Sequence, residues 1–558
     1  MWLQENPMFE NDERAEVNKE SLDRIFTIPE SSGATLARIE QAISTNLDGF
    51  LREHIVAEEK SMPEIEADFS SVSITAQPFY VSAYTDFILK HLVAQSVHTS
   101  SPGFIGHMST ALPYFMLPMS KIITALNQNL VKIETSKAFT PMERQVLGML
   151  HSLVYEREDT FYDQWLHNPS HALGVFCSGG TIANITALWV ARNSSLDEGI
   201  ISQRGLHGAI QESGIKGLVV LGSKRGHYSL KKAVDLLGLG RDNLITVDTD
   251  ADHKVNMQSI REKALEVEKA GYKVMMIVGL AGTTETGSVD PLDELAALSQ
   301  EIGCHFHVDA AWGGPTLFSE KYKSLLKGIE LADSVTIDAH KQLYVPMGSG
   351  MVLFKDPRAL KSIEIHAEYI IRRGSRDLGQ QSLEGSRPGM ALLVHAGLNI
   401  IGRKGYEMLI DLGIEKAKYF AGVIDKHDDF ELMVKPELNI LGYRYAPVWI
   451  RDYLQKVDAE TVEWINHKLD IINKNIQKAQ REQGKSFVSR TRVAMAQYAG
   501  AELIYFRVIL ANPLTKHEDL AACLQTQLEF SQHELGLRIM AAIKERCLMA
   551  APAHKNTG

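Results

Sequence analysis

The sequence of 558 residues predicts an α/β fold centred on a mainly parallel sheet of seven strands with helices on both faces. Between about residues 170 and 355, short apolar runs alternate with helical patterns. Runs that are apolar on both sides indicate strands covered on both faces, and helices between such strands are typical of parallel sheets. Different patterns flank this region, so we expect further segments around one large domain.

Four predicted helices lie between the first five of the seven predicted strands. The predicted strands are LGVFC, GLVVLGS, NLITVDT, KVMMIVGLA, CHFHVDA, DSVTID and GMVLF. The predicted helices among them are TIANITALWVARN, HYSLKKAVDLLG, SIREKALEVEKAG and PLDELAALSQEIG. Ligands of open α/β sheets bind beyond the carboxyl ends of the strands, so the residues that follow each run are the candidates for function.

The flanking patterns divide the chain into four parts. We expect a flexible N-terminus at 1–20, a helical N-terminal segment at 21–130, the large α/β domain at 131–400 and a small C-terminal α+β domain at 401–558. The large domain is expected to open with a helix in TPMERQVLGMLHSLVYE. There Thr140 and Glu143 form a predicted capping box at the helix start.

Composition excludes several classes of protein. The net charge of −11 and the absence of a basic stripe argue against nucleic acid as a partner. The longest apolar runs are too short for a membrane span, and the polar, acidic start has no secretory pattern. Four cysteines without a CxxC pair fit a reducing compartment, so we expect a cytoplasmic protein.

Three strand ends carry polar or small residues suited to a phosphorylated ring. Gly180 and Thr181 begin a helix directly after a strand, where free N–H groups favour a phosphate, although the same pattern also occurs in flexible turns. His227 follows the next strand. Its imidazole either stacks on a ligand ring or has a purely structural role. Thr284 supplies a hydroxyl after a fourth run.

Two further strand ends carry a carboxylate and an amine. Asp309 follows CHFHV beside Ala311, and a buried carboxylate there needs a cationic partner such as a protonated ring nitrogen. Lys341 follows DSVTID, immediately after His340. A phosphate cradle, a stacking imidazole, a hydroxyl, a carboxylate and an amine together suit pyridoxal phosphate, which a lysine holds covalently and a carboxylate keeps protonated at the ring nitrogen.

A metal site is the alternative for the histidines. Cys304, His305, His307 and His340 are zinc-capable residue types. Adjacent residues of a strand point to opposite faces, whereas tetrahedral sites draw on tighter turns, so we predict no metal.

The motifs SGGTIAN, GHYSLKKAVDLLGLG, AGTTETGSVDPLDE, HVDAAWGG and DSVTIDAHK resemble those of the group II pyridoxal-phosphate-dependent amino-acid decarboxylases, in the same order and spacing. The likeness covers roughly residues 90–530. Within that family, SVHTSSPGFIGHMSTALPYF and SLEGSRPGMALLVHAG are similar to the bacterial branch that acts on aspartate. The resemblance implies the fold-type I architecture of these enzymes and an obligate homodimer with active sites at the subunit interface.

The resemblance also implies roles for individual residues. Lys341 would carry the cofactor, Asp309 would pair with its ring nitrogen, and His227 and Ala311 would cover its two faces. The phosphate would be held by Gly180, Thr181, Ser334 and His340, with Thr284 (or Thr283) near the ring hydroxyl. The sequence departs from the family at Asp338 and Ala339, where Asn-Pro is common, and a carboxylate at 338 would repel phosphate.

For the substrate, the resemblance implies a tyrosine that protonates the product and an arginine that holds the α-carboxylate. Tyr369 and Arg387 occupy the matching positions, and His107 and Ser109 match the segment that meets the substrate side chain. The implied reaction converts L-aspartate to β-alanine and carbon dioxide, for pantothenate and coenzyme A synthesis. The alternatives are decarboxylation of L-glutamate to 4-aminobutyrate, aminotransfer with the same cofactor, and a non-catalytic protein that binds pyridoxal phosphate.

Overall fold

The computed structural model of the protein describes residues 60–367 and 375–549. The predicted flexible N-terminus, residues 1–20, and the predicted proton donor Tyr369 lie outside these residues. Two sheets organise the described chain, one between residues 174 and 354 and one between residues 430 and 509.

The large sheet has seven strands, as the sequence predicts. They are β1 (Gly174–Cys177), β2 (Leu218–Ser223), β3 (Leu244–Val247), β4 (Lys273–Leu280), β5 (His305–Asp309), β6 (Ser334–Asp338) and β7 (Gly350–Phe354). Their spatial order is β1-β7-β6-β5-β4-β2-β3. Neighbours pair in parallel except β7, which runs antiparallel to both β1 and β6. The carboxyl ends of β1, β2, β4, β5 and β6 therefore meet at one edge.

Helices cover both faces of this sheet, and further helices precede and follow it in the sequence. They are α1 (Met62–Asp68), α2 (Val81–Ile88), α3 (Met116–Leu126), α4 (Ile133–Ser136), α5 (Phe139–Tyr155), α6 (Asp159–Trp165), α7 (Gly180–Ser194), α8 (Glu198–Ser213), α9 (Tyr228–Leu236), α10 (Met257–Lys269), α11 (Leu292–Ile302), α12 (Ala391–Ile400), α13 (Gly402–Asp425), α14 (Val448–Leu454), α15 (Ala459–Gln483), α16 (His517–Ser531) and α17 (Glu534–Met549). No helix among the described residues is long and apolar enough to cross a membrane.

Alternation along the strands divides the core between the two faces. Val219 and Leu221 of β2 pack in one buried cluster, together with residues of α5, α10 and α11. Leu218 and Val220 pack in a second cluster, with residues of α7 and α9. The apolar runs are thus apolar on both sides because each side meets a helical layer, which confirms the predicted architecture.

The small sheet is antiparallel and lies toward the end of the chain. Its strands are β8 (Phe430–Val434), β9 (Ile440–Tyr445), β10 (Ser489–Met495) and β11 (Ala501–Ile509), in the order β10-β11-β9-β8. The segment near residue 105 lies beside it: the Ile105 N–H donates to the Phe487 carbonyl at 3.0 Å, and the Ile509 N–H donates to the Ile105 carbonyl at 2.7 Å. This pairing fixes the position of the residues just after Ile105.

The start of α5 differs from the prediction. The helix begins at Phe139 rather than after Thr140, and Thr140 lies within its first turn without capping it. The Thr140 hydroxyl instead pairs with the Ser136 hydroxyl at 2.6 Å. Glu143 is bound to Arg387 and does not close a capping box. The Glu143 carboxylate therefore pairs with the distant Arg387 and not with the start of its own helix.

Candidate active site

A cavity of about 500 Å³ lies at the edge of the large sheet where the strands end. It is bounded by the large sheet, by the segment after Ile105 and by β11 of the small sheet. Ten of the predicted site residues line it: His107, Ser109, Gly180, Thr181, His227, Thr284, Asp309, Ala311, His340 and Lys341. The topology thus brings together residues that are up to 234 positions apart in the sequence.

Lys341 lies in the turn after β6, next to the carboxylate that ends this strand. Its Nζ is 3.1 Å from Asp338 Oδ2, and the Asp338 side chain is almost fully buried. His340 Nε2 lies 3.5 Å from the same oxygen. Within the described part of the chain, the buried atoms Asp338 Oδ1 and His340 Nδ1 have no hydrogen-bond partner. Unpaired buried polar atoms are costly, which points to a polar ligand beside them.

Asp309 is held at the end of β5 by a network of side chains. The Asn184 amide donates to Asp309 Oδ2 and to the Ser229 hydroxyl, both at 2.9 Å, and the Ala311 N–H donates to Asp309 Oδ1 at 3.2 Å. The Asn184 carbonyl in turn accepts from His307 Nε2 at 3.1 Å. The network fixes the position of the Asp309 carboxylate, and both groups that donate to it, the Asn184 amide and the Ala311 N–H, are uncharged.

His227 is connected to the same network and caps helix α9. Its Nδ1 accepts from the Ser229 N–H at 3.3 Å and lies 2.9 Å from the Ser229 hydroxyl. Burial lowers the pKa of His227, and the nearby Asp309 carboxylate opposes this shift only in part. A neutral imidazole held at Nδ1 is suited to lie against a flat ring.

Helix α7 begins at the cavity, at the residues predicted to hold a phosphate. The helix begins at Gly180, so the N–H groups of its first turn have no partner within the helix. A Cβ atom at Gly180 would lie 2.8 Å from Asp338 Oδ2, which explains the need for glycine. The Ser178 N–H, just before the helix, donates to the Glu384 carboxylate at 3.0 Å. The cradle, the unpaired His340 atom, Lys341 and the anchored Asp309 together fit pyridoxal phosphate.

Arg507 of β11 also lines the cavity, and the sequence reasoning missed it. Its Nε donates to the Ser489 hydroxyl at 2.9 Å, its Nη1 to the Thr284 carbonyl at 2.9 Å and its Nη2 to the Gly106 carbonyl at 3.2 Å. These bonds fix the guanidinium from three segments of the chain. A single arginine inside the apolar run IYFRVIL was the signal that could have identified it.

His107 and Ser109 line the same cavity as Arg507. His107 Nδ1 is 3.0 Å from the Ser109 hydroxyl. Burial lowers the pKa of His107, and the positive charges of Arg507 and Lys341 lower it further. The imidazole is therefore neutral at pH 7, and it offers hydrogen bonds rather than a positive charge.

Two predicted site residues, Ser334 and Arg387, do not line the cavity. Ser334 is the first residue of β6, at the opposite end from Lys341, and its hydroxyl meets His305 Nε2 at 2.7 Å and His307 Nδ1 at 2.8 Å. The Arg387 side chain is 9% exposed and forms a bidentate ion pair with Glu143 beside a separate small cavity. In this structure, therefore, the contacts of both side chains lie away from the cavity.

Comparisons with known proteins connect the chain to one family. The family model described as "Pyridoxal-dependent decarboxylase conserved domain" matches residues 82–446. A protein of Aliivibrio fischeri named aspartate 1-decarboxylase is 56% identical over 543 residues, which cover 96% of this chain and 99% of that protein. A Bos taurus protein named acidic amino acid decarboxylase GADL1 is 27% identical and covers 77% of each chain.

A solved structure gives the same result for the fold. The crystal structure of mouse CSAD superposes with a TM-score of 0.79 at 25% identity, covering 90% of this chain and 100% of that one. The comparisons confirm the fold class, the cofactor and the family that the motifs predicted. The chain belongs to the pyridoxal-dependent decarboxylases, carboxy-lyases whose cofactor is pyridoxal phosphate.

Proposed function

We propose that the protein removes the α-carboxyl group of L-aspartate and releases β-alanine and carbon dioxide. The observation that carries this proposal is that Lys341 and Arg507 line one cavity, together with the anchored carboxylate of Asp309. The similarity to a protein named aspartate 1-decarboxylase, at 56% identity over nearly the whole of both chains, supports the choice of substrate.

Each lining residue has a role that its position supports. Lys341 holds the cofactor covalently, Asp309 pairs with the ring nitrogen, and His227 and Ala311 cover the ring. Gly180, Thr181 and His340 hold the phosphate, with Thr284 near the ring hydroxyl. When bound, pyridoxal phosphate supplies a ring that accepts the electrons left by the departing carboxylate.

The substrate is oriented by Arg507 in this proposal. Its planar fork matches a carboxylate, and the three backbone and hydroxyl oxygens that hold it leave the fork preorganised. A fixed α-carboxylate is what decarboxylation requires, because the bond that breaks must stay aligned with the ring system. Tyr369 then delivers a proton to the α carbon, as its position in the family motif implies.

L-Glutamate is the second candidate substrate, because relatives named acidic amino acid decarboxylase also match the chain. The two substrates differ by one methylene, which a pocket distinguishes by only about 1–3 kcal/mol. We further propose that the enzyme is a cytoplasmic homodimer with active sites at the interface. Its four cysteines are free, in line with a reducing compartment.

The test is to incubate the purified protein with pyridoxal phosphate and either aspartate or glutamate, and to quantify carbon dioxide and the amine product. An excess of β-alanine over 4-aminobutyrate is the expected result. The reverse would move the enzyme to glutamate and keep every cofactor assignment. Release of carbon dioxide from neither amino acid would overturn the proposed reaction.

A further inference from the structure

His307 is a buried histidine of the large sheet, and none of the roles proposed above uses it. It lies on β5 two residues before Asp309, so both side chains are on the same face of the strand. Helix α7 covers this face, because its Asn184 bonds to both side chains. His307 is 0% exposed and Asn184 is 1% exposed, so water does not replace a partner that either side chain loses.

The hydrogen bonds that connect Asp309 to His307 can run in one direction only. An ionised carboxylate only accepts, so Asn184 directs its NH2 group toward Asp309 and its carbonyl oxygen toward His307. That oxygen also only accepts, so His307 carries a hydrogen on Nε2. Burial lowers the pKa of His307 to about 4, so the ring is neutral at pH 7 and its Nδ1 carries no hydrogen.

The Ser334 hydroxyl fixes this tautomer from the other side of the ring. Ser334 is the partner of His307 across the neighbouring strands β5 and β6, and its Oγ lies 2.8 Å from His307 Nδ1. A nitrogen without a hydrogen accepts, so the hydroxyl donates to it. The Ser334 oxygen in turn accepts from His305 Nε2 at 2.7 Å. Ser334 thus keeps the hydrogen of His307 on Nε2, where it faces Asn184.

The orientation of the Asn184 amide matters because its two ends have opposite hydrogen-bonding character. The NH2 end donates to Asp309, whereas the oxygen end would repel the carboxylate. The Nε2–H of His307 binds the oxygen end and so holds the NH2 end against Asp309. Without this donor, the buried oxygen would be unpaired and the amide would lose one of the bonds that fix it.

We propose that His307 is a positioning residue that acts through Asn184. Its Nε2–H, set by Ser334, orients the amide, and the amide holds Asp309 where the carboxylate meets the ring nitrogen of pyridoxal phosphate. This inference rests on the proposed function, which assigns Asp309 to that nitrogen. Hydrogen bonds behind a binding group keep it within the narrow range of positions that pairing with a ligand requires.

The test compares two cofactors, each titrated by absorbance against the cofactor-free protein. One is pyridoxal phosphate, and the other is its deaza analogue, in which a C–H group replaces the ring nitrogen and the aldehyde and phosphate are kept. Wild-type protein should bind pyridoxal phosphate more tightly. In His307→Leu, we expect its dissociation constant to rise roughly ten- to a hundredfold, the value of a weakened hydrogen bond to a charged group. The constant of the analogue should not rise, because the analogue makes no bond with Asp309.

Two matched variants separate positioning from packing. His307→Gln should restore most of the preference for pyridoxal phosphate, because glutamine carries an NH2 group at the place of Nε2. His207→Leu makes the first change at an exposed histidine and should leave both constants unchanged. Should His307→Leu not fold, Ser334→Ala decides, because it deletes only the hydroxyl. There the pyridoxal phosphate constant should rise about threefold or more, with that of the analogue unchanged.

The inference and the proposed function fail in different ways. An equal loss of both compounds in His307→Leu, or an unchanged preference in the variant that folds, would overturn the positioning role. Wild-type protein that binds both compounds equally would separate Asp309 from the ring nitrogen, and the role of His307 would fall with it. Decarboxylation of aspartate is decided by carbon dioxide release, which this binding comparison does not use.

Discussion

Asp338 Oδ2 lies 3.1 Å from Lys341 Nζ, so a buried carboxylate touches the amine that is proposed to hold the cofactor. The same carboxylate packs against the phosphate cradle. A Cβ atom at Gly180 or at Gly350 would lie within 2.8 Å or 2.5 Å of one of its oxygens. Asp338 therefore stands between the lysine and the start of α7, where its charge acts on both.

Replacing Asp338 with asparagine should strengthen cofactor binding. The change removes a negative charge beside the proposed phosphate position and keeps the shape of the side chain. We expect the dissociation constant of pyridoxal phosphate to fall about three- to tenfold, because like charges at short range in a partly buried site repel strongly. Pyridoxine phosphate, which lacks the aldehyde, should show the same gain when it is titrated against the cofactor-free protein.

The control is Asp242→Asn, at an exposed position that does not line the cavity. It changes the net charge by the same amount as Asp338→Asn. Weaker binding of both compounds in Asp338→Asn would show that the carboxylate holds the lysine in place rather than repelling phosphate.

The sequence predicts the fold well because each strand of the large sheet is a short run that is apolar on both sides. Such a run is a local property, and so is the residue that follows it. Asp309, His227 and Lys341 could therefore be identified at strand ends from the amino-acid pattern alone. Helix α5 shows the limit of local patterns: its existence was predicted correctly, but Glu143 bonds to Arg387, 244 positions away, rather than to the helix start.

The proposed substrate arginine could not be located in the same way. Arg507 belongs to β11 of the small sheet, and only the packing of this sheet against the large one places its side chain at the cavity. Ser334 was assigned to the phosphate although it stands at the beginning of β6. The predicted strand DSVTID already placed Ser334 near the strand start, and the motif resemblance was followed instead.

Arg507→Lys should impair substrate binding and leave the cofactor in place. Lysine keeps the positive charge but cannot form the paired hydrogen bonds of the guanidinium fork. We expect the KM for aspartate to rise roughly tenfold or more, from the loss of a hydrogen bond to a charged group. Steady-state kinetics give the KM, and cofactor absorbance reports occupancy. The exposed Arg490→Lys change on β10 is the control, and an unchanged KM in Arg507→Lys would remove this arginine from the substrate site.

Arg387→Met should act on stability rather than on substrate binding. The change leaves the Glu143 carboxylate buried without its partner, and breaking a buried ion pair costs about 3–5 kcal/mol in the free energy of unfolding. Denaturant unfolding measures this loss, and the double variant with Glu143→Gln should recover part of it. A raised KM for aspartate with unaltered stability would instead return Arg387 to the substrate site.

Tyr369→Phe should separate decarboxylation from cofactor binding. The variant lacks the phenol that is proposed to protonate the α carbon, and general acid catalysis contributes about a hundredfold or more. We expect carbon dioxide release to fall by that factor while cofactor absorbance is retained. Tyr114→Phe, on a highly exposed tyrosine, is the control. Full carbon dioxide release by Tyr369→Phe would remove this tyrosine from the mechanism.

His151 should make stability depend on pH between about pH 6.5 and pH 4. Its ring is fully buried, with the Tyr162 hydroxyl 2.9 Å from Nδ1 and the Phe354 carbonyl 3.1 Å from Nε2. Burial lowers the pKa of His151 to about 4 in the folded protein, from an ordinary value of 6.5. The folded state therefore favours the neutral ring, and its stabilising contribution is complete above pH 6.5 and is lost as the pH falls toward 4.

The His151→Gln variant measures this contribution. A shift of this size corresponds to about 3 kcal/mol in the free energy of unfolding. Urea unfolding at a series of pH values should show a shallower loss of stability between pH 6.5 and pH 4 than in the wild type. The slope should not vanish, because burial also lowers the pKa of His307 to about 4. His533→Gln, at an exposed histidine, should leave the slope unchanged, and an equally unchanged slope in His151→Gln would contradict a neutral, buried His151.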